Sequence, residues 1–165
     1  MIDKHTWNLG SNNRTTNIKA KSFYELERSN NNGKICGSGI YCNDTVIRTT
    51  TWEGYVGLIY PSDYGYAVGG EARTNCLANT NLSQYNNNNC ETNDWLNKTS
   101  TYQWTLSSLA GSSYAYSVFL VTSVGKVYGD NFASGGFVVR PALFLISDIE
   151  ISGSGTATDP YVVSP

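Results

Sequence analysis

Four cysteines and a single histidine are the side chains with most capacity for nucleophilic or metal chemistry in this 165-residue chain, and their spacing argues against both. A structural zinc site needs four thiolates, or thiolates with histidines, closely spaced. Here no Cys-x-x-Cys occurs, and His5 stands alone near the start. A serine or cysteine nucleophile needs a histidine to take its proton, and His5, in a segment read as a lead-in, is poorly placed for that. The cysteines fall as two local pairs, Cys36 with Cys42 and Cys76 with Cys90, in stretches dense in Gly, Asn and Ser. Four cysteines admit three pairings; the local one is expected, with the bonds made in an oxidising compartment.

Paired carboxylates are the next chemistry to consider. Asp63 and Glu71 are near in sequence and could flank a groove, but Asp63 follows Pro61-Ser62 and is more simply a turn cap. No catalytic residue is expected. Calcium needs several converging oxygens, for which Glu91, Asp94 and nearby asparagine carbonyls, or Asp130 with Asn131, are the available groups. The simpler expectation is a solvated polar loop, without metal or cofactor. Recognition by rings remains. Tyr64 and Tyr66 lie in a glycine-rich run, and Tyr85 and Trp95 lie in or beside an Asn-rich stretch. With Asn93 and Asp94 they form the expected ligand-binding set, presented by loops 61–70 and 76–101. Trp52, Trp104, Phe119, Phe137 and Phe144 lie in strand-like runs and are expected in the core.

The elements that must position these groups are read from periodicity. Residues 18–28 are the best helix candidate, with an apolar stripe of Ala20, Phe23, Tyr24 and Leu26, stopped by the breaker run 29–33. Residues 45–52 and 55–60 read as two strands joined at Glu53-Gly54. The run 64–70 holds too much glycine for a regular helix and reads as loop. Residues 75–101 read as a long exposed loop stapled by Cys76 and Cys90, relieved by a short helix near 91–96. Tyr102, Trp104 and Leu106 alternate onto one face of a strand. Residues 113–122 suit an interior strand, and 124–128 the next one. Pro141 forbids an uninterrupted central strand across 137–146. Strands at 149–151 and 161–163 close the chain around a turn-rich segment.

With 40% apolar residues the chain can bury one sizeable core, and one domain is expected over 1–165. Residues 1–17 are read as a flexible lead-in or inserted start, so that a leader or membrane anchor would lie outside the sequence. Only 15% of residues are charged and the net charge is -2, which leaves no basic field to attract nucleic acid. Asn13, Asn43, Asn81 and Asn97 form sequons that matter only in a glycosylating host.

Six segments in order carry a resemblance: 52–67 (WEGYVGLIYPSDYGYA), the stretch from Cys76 to Cys90, 93–96 (NDWL), 102–107 (YQWTLS), 136–143 (GFVVRPAL) and 151–161 (ISGSGTATDPY). Together they resemble prepilin-like secreted surface proteins of gut Firmicutes with a C-type-lectin-like domain. That resemblance implies an α+β fold of small antiparallel sheets, one or two helices and a long irregular loop region. It also implies an extracellular or cell-surface adhesin or pilin-like module that recognises a carbohydrate or protein receptor, or a structural subunit that self-assembles. The Glu-Pro-Asn or Gln-Pro-Asp and Trp-Asn-Asp motifs of calcium-dependent sugar binding are absent, and so is any cysteine after Cys90, which the enzymes of that fold need. In the resembling family the Arg140-Pro141 pair closes the domain, and a paired, half-buried guanidinium is expected at Arg140 rather than a ligand contact.

Overall fold

Apolar residues spaced three and four apart close residues 20–28 into helix α1 (Ala20–Arg28), whose buried face is Ala20, Phe23 and, unexpectedly, Glu27. Tyr24 leaves the expected stripe and stands on the outer face, edge-on to Tyr66 with ring centroids 5.4 Å apart. The computed structural model describes residues 2–9, 19–28, 51–97, 100–109, 116–156 and 158–164. The breaker run 29–33 and the Cys36–Cys42 pair lie outside them, as do the side chains of Leu26, Asp130 and Asn131.

The chain is a small mixed α+β protein with short antiparallel sheets and, among the described residues, no closed barrel. Strand β1 (His5–Asn8) pairs with β2 (Thr51–Gly54), so the expected lead-in holds a strand, and its Trp7 is buried. The chain bends at Tyr55 into β3 (Val56–Leu58), which joins a different sheet by pairing with β7 (Pro141–Leu143). Pro141 is tolerated because β7 has, among the described residues, a single partner strand. A three-stranded sheet runs in the order β4 (Gln103–Ser108), β5 (Ser117–Val121), β6 (Val127–Phe132), with β5 interior as its two apolar faces require. Strand β6 begins later than expected, because a tight turn with Gly125 at φ +74° occupies the start of that segment. Strands β8 (Glu150–Ser152) and β9 (Val162–Ser164) close a terminal hairpin.

Among the described residues three α-helices form instead of one or two. The glycine-rich run expected to be loop is largely helix α2 (Pro61–Tyr66). Pro61 occupies the first helical position, where its missing N–H costs nothing, and the Asp63 carboxylate accepts the Tyr60 N–H at 2.8 Å. Gly65 is a packing residue rather than a breaker: a Cβ there would lie 2.5 Å from Ala20 Cβ and 2.7 Å from Leu82 Cδ2. Its absence lets α1 and α2 touch. The long exposed loop is also corrected. It is built of α3 (Ala72–Asn79) and 3-10 segments at Leu82–Asn87 and Glu91–Asn93, folded around the buried Cys76–Cys90 disulfide. Closing that fourteen-residue separation in the unfolded chain as well as the folded one contributes about 3 kcal/mol.

The core lies between these helices and the three-stranded sheet, with Phe23, Tyr64, Val68, Leu82, Tyr85 and Phe119 among its members. The expected assignment of rings is largely inverted. Tyr64 and Tyr85 are fully buried, whereas Trp52 and Phe144 are exposed and Trp104 and Phe137 pair half-buried at 4.8 Å; Phe119 is core as expected. Strand β4 alternates as expected, but the face of Trp104, expected in the core, is not the inner one. Gln103, Thr105 and Ser107 face inward, while Trp104 and Leu106 take the half-buried face. Thr105 meets the cost of burial by donating its hydroxyl to the Phe119 carbonyl at 2.6 Å. Among the described residues no helix is long and apolar enough to cross a membrane.

Candidate functional site

A groove of about 690 Å³ opens where the end of α1, helix α2, the turn after Glu91–Asn93 and the approach to β7 meet. Each wall is fixed by backbone bonding. The end of α2 is tied to the following turn by the Val68–Asp94 bridge, by Gly69 N–H to Asn93 O at 2.9 Å and by Trp95 N–H to Ala67 O at 3.4 Å. This tie sets Trp95 beside Tyr66 and Ala67 at the rim. Opposite, the segment before β7 is held on β4 by Trp104 N–H to Val138 O at 2.9 Å and Val138 N–H to Tyr102 O at 3.0 Å. The next residues bring Arg140 and Pro141 into the groove wall.

Two guanidiniums line the groove, and their surroundings differ. Arg28 is saturated. It donates to Asp63 Oδ1 at 2.5 Å and to Ser62 Oγ at 3.0 Å, and its Cζ sits 4.0 Å from the Tyr24 ring centroid and 5.0 Å from that of Tyr60. Asp63 thereby serves both as a helix cap and as the counterion of Arg28, which agrees with the turn-cap expectation. Arg140 donates its Nε–H to Oε1 of the buried Gln103. It is half-buried and paired, but through an amide. No further hydrogen bond of its guanidinium is found among the described residues.

Of the six expected binding residues, the fold brings Tyr66 and Trp95 together in the groove wall, with Trp95 62% exposed. Tyr64 and Tyr85 are not presented to solvent. The Tyr64 hydroxyl donates to Gly125 O at 2.8 Å and the Tyr85 hydroxyl to Gly65 O at 3.2 Å, and burial raises the pKa of both phenols. Their rings pin α2 and the disulfide segment into the core. Asn93 is exposed, and its amide donates to Asn89 O at 3.0 Å. Asp94 lies beneath Trp95, 4% exposed. One carboxylate oxygen accepts Leu96 N–H at 2.8 Å, and the other is buried without a partner among the described residues. Burial pushes its pKa up to about 7 against the pull of the Leu96 and Asn97 amides and of Arg140.

Glu27 lies behind Arg28, fully buried, accepting from the Ser62 hydroxyl and held up to a pKa of about 8 by desolvation. Neither it nor the partners of Arg28 were legible in the sequence, because the spacing of Glu27 from Ser62 and Asp63 becomes contact only when α1 packs on α2. Among the described residues no group of three or more His, Cys, Asp or Glu side chains could hold a metal ion. Asp63 is paired with Arg28 and Asp94 is buried, so the groove wall presents the rings of Tyr66 and Trp95 together with the Arg140 cation.

No family model, no characterised protein and no solved structure matches this chain.

Proposed function

We propose that this chain is an extracellular binding module, an adhesin or pilin-like domain of C-type-lectin-like type, that takes a carbohydrate in the groove between Trp95 and Arg140 and performs no catalysis. The observation that carries the proposal is Trp95, a ring 62% exposed at the rim of a groove also lined by Tyr66 and Arg140. Exposing an indole costs burial energy that a core position would have returned, and a rigid ring beside polar donors is the usual platform for a sugar face. The Cys76–Cys90 disulfide supports an oxidising location. The test is a glycan and glycoprotein array run with calcium and again with chelator, on the native protein and on Trp95→Ala. Binding that Trp95→Ala loses at least tenfold supports the proposal. Binding unchanged by Trp95→Ala contradicts the groove. Binding only to glycoproteins, with none to the free glycans, points to a protein receptor.

A second reading, self-assembly as a pilus or surface-layer subunit, is favoured by a separate observation. Tyr116 and Phe132 stack at 4.8 Å while 51% and 61% exposed, and the β8–β9 hairpin exposes Ile151 and Val162. Concentration-dependent sedimentation with no glycan binding would favour it.

A further inference from the structure

We propose that the ligand is an acidic sugar, and that Arg140 grips its carboxylate while Trp95 carries its ring face; this rests on the groove reading above. The two guanidiniums of the groove separate by their partners. Arg28 spends its donors on Asp63, Ser62 and Glu27 and has a carboxylate at contact, so it offers little to a ligand. Arg140 has an amide instead. Gln103, buried at 1% exposure, takes the Nε–H and so fixes the plane of the guanidinium while leaving its charge unneutralised. The two terminal nitrogens of that plane have no acceptor among the described residues, and Arg140 lines the groove.

A planar fork held by its inner nitrogen is preorganised for two parallel bonds to a planar oxyanion. The carboxylate with a field on Arg140 is Asp94, which is buried beneath Trp95, bonded to the Leu96 amide and partly protonated near neutrality, so it compensates the cation incompletely. A neutral sugar filling the groove would strip water from the guanidinium without supplying an anion. A sugar carboxylate would supply one. Arg140 and Trp95 line the same groove, so the cation and the ring belong to one site.

Hexuronates and sialic acids share this chemistry, and the test separates them. Trigalacturonate, its methyl ester, 3′-sialyllactose and lactose are titrated into the native protein, Arg140→Gln and Trp95→Ala, following heat and Trp fluorescence, with circular dichroism to verify folding. The expected result is that at least one acid binds 10- to 100-fold more tightly than its neutral counterpart. Arg140→Gln should abolish that preference while keeping the weak neutral binding, and Trp95→Ala should weaken acid and neutral ligand alike. The acid that binds identifies the source. Equal affinity for acid and neutral forms would overturn the role of Arg140 and leave the carbohydrate reading standing. Absence of binding to all four would overturn both. If Arg140→Gln fails to fold, the acid-to-neutral ratio on the native protein decides alone.

Discussion

Replacing Glu27 by glutamine should change how stability depends on pH more than it changes stability itself. Glu27 is fully buried on α1, bonded to the Ser62 hydroxyl, and its pKa is raised to about 8 from 4.5, chiefly by desolvation. Between those values the folded chain keeps a proton that the unfolded chain gives up. The folded state therefore binds more protons, and stability contributed by this group is full below the unfolded pKa and lost as pH rises through about 8. A shift from 4.5 to about 8 gives a decline of about 3 kcal/mol between pH 5.5 and 8.5. Glutamine has the same shape, can donate to Ser62 Oγ and carries no titrating proton. Urea unfolding at pH 5.5, 7.0 and 8.5 gives the native-minus-variant difference, from which Asp94 and other shared groups cancel. That difference should move by about 3 kcal/mol in favour of Glu27→Gln as pH rises. A difference constant with pH, or one moving in favour of Glu27 at high pH, would refute the reasoning. It would mean that Arg28, 3.4 Å from Glu27 Oε2, holds the buried carboxylate ionised.

Gly65→Ala should lower stability by about 1 to 3 kcal/mol, because the added methyl meets Ala20 and Leu82 at under 3 Å; a thermal melt unchanged from the native protein would remove the close α1–α2 approach from the account. Removing the Cys76–Cys90 bond in a double alanine variant should cost about 3 kcal/mol in denaturant midpoint analysis, and a cost below about 1 kcal/mol would show that α3 and the 3-10 segments hold themselves. Thr105→Val, isosteric and inward on β4, should cost about 1 kcal/mol through loss of its bond to Phe119 O; a stabilised variant would mean that the Thr105 hydroxyl makes no net contribution there.

What the sequence made legible was what local pattern controls. The stripe of Ala20 and Phe23 announced α1, the double-faced apolar run announced β5 as interior, the turn-rich segment between Ile151 and Tyr161 announced the terminal hairpin, and local spacing announced the Cys76–Cys90 bond. Glycine misled because two opposite needs use it. In 64–70 it was read as freedom of the backbone, whereas Gly65 supplies the missing volume that two helices need in order to touch. On β4 the alternation was legible but the expectation of a core Trp104 failed, because nothing in the pattern foretells that Gln103 and Thr105 are placed inward with partners from Arg140 and Phe119. At the site, Tyr66 and Trp95 were recognisable as rings without an obvious core strand. Tyr64 and Tyr85 carried the same signal and became core, since a ring in a polar stretch is equally a pin for that stretch. The difference between a carboxylate-paired Arg28 and an amide-held Arg140 depends on contacts across α1, α2 and β4, and no spacing in the sequence encodes it.

The most direct measurement of the central claim, that the groove is the ligand site, is an amide and side-chain NMR titration of the 15N-labelled protein with the best-binding acidic sugar. The expected result is a saturable cluster of shifts at the Trp95 indole, the Arg140 Nε–H and the Tyr66 and Ala67 amides, with the Tyr116, Phe132 and β8–β9 resonances unmoved. Saturable shifts confined to the Tyr116–Phe132 face or to the terminal hairpin, with the Trp95 and Arg140 signals unchanged, would contradict it.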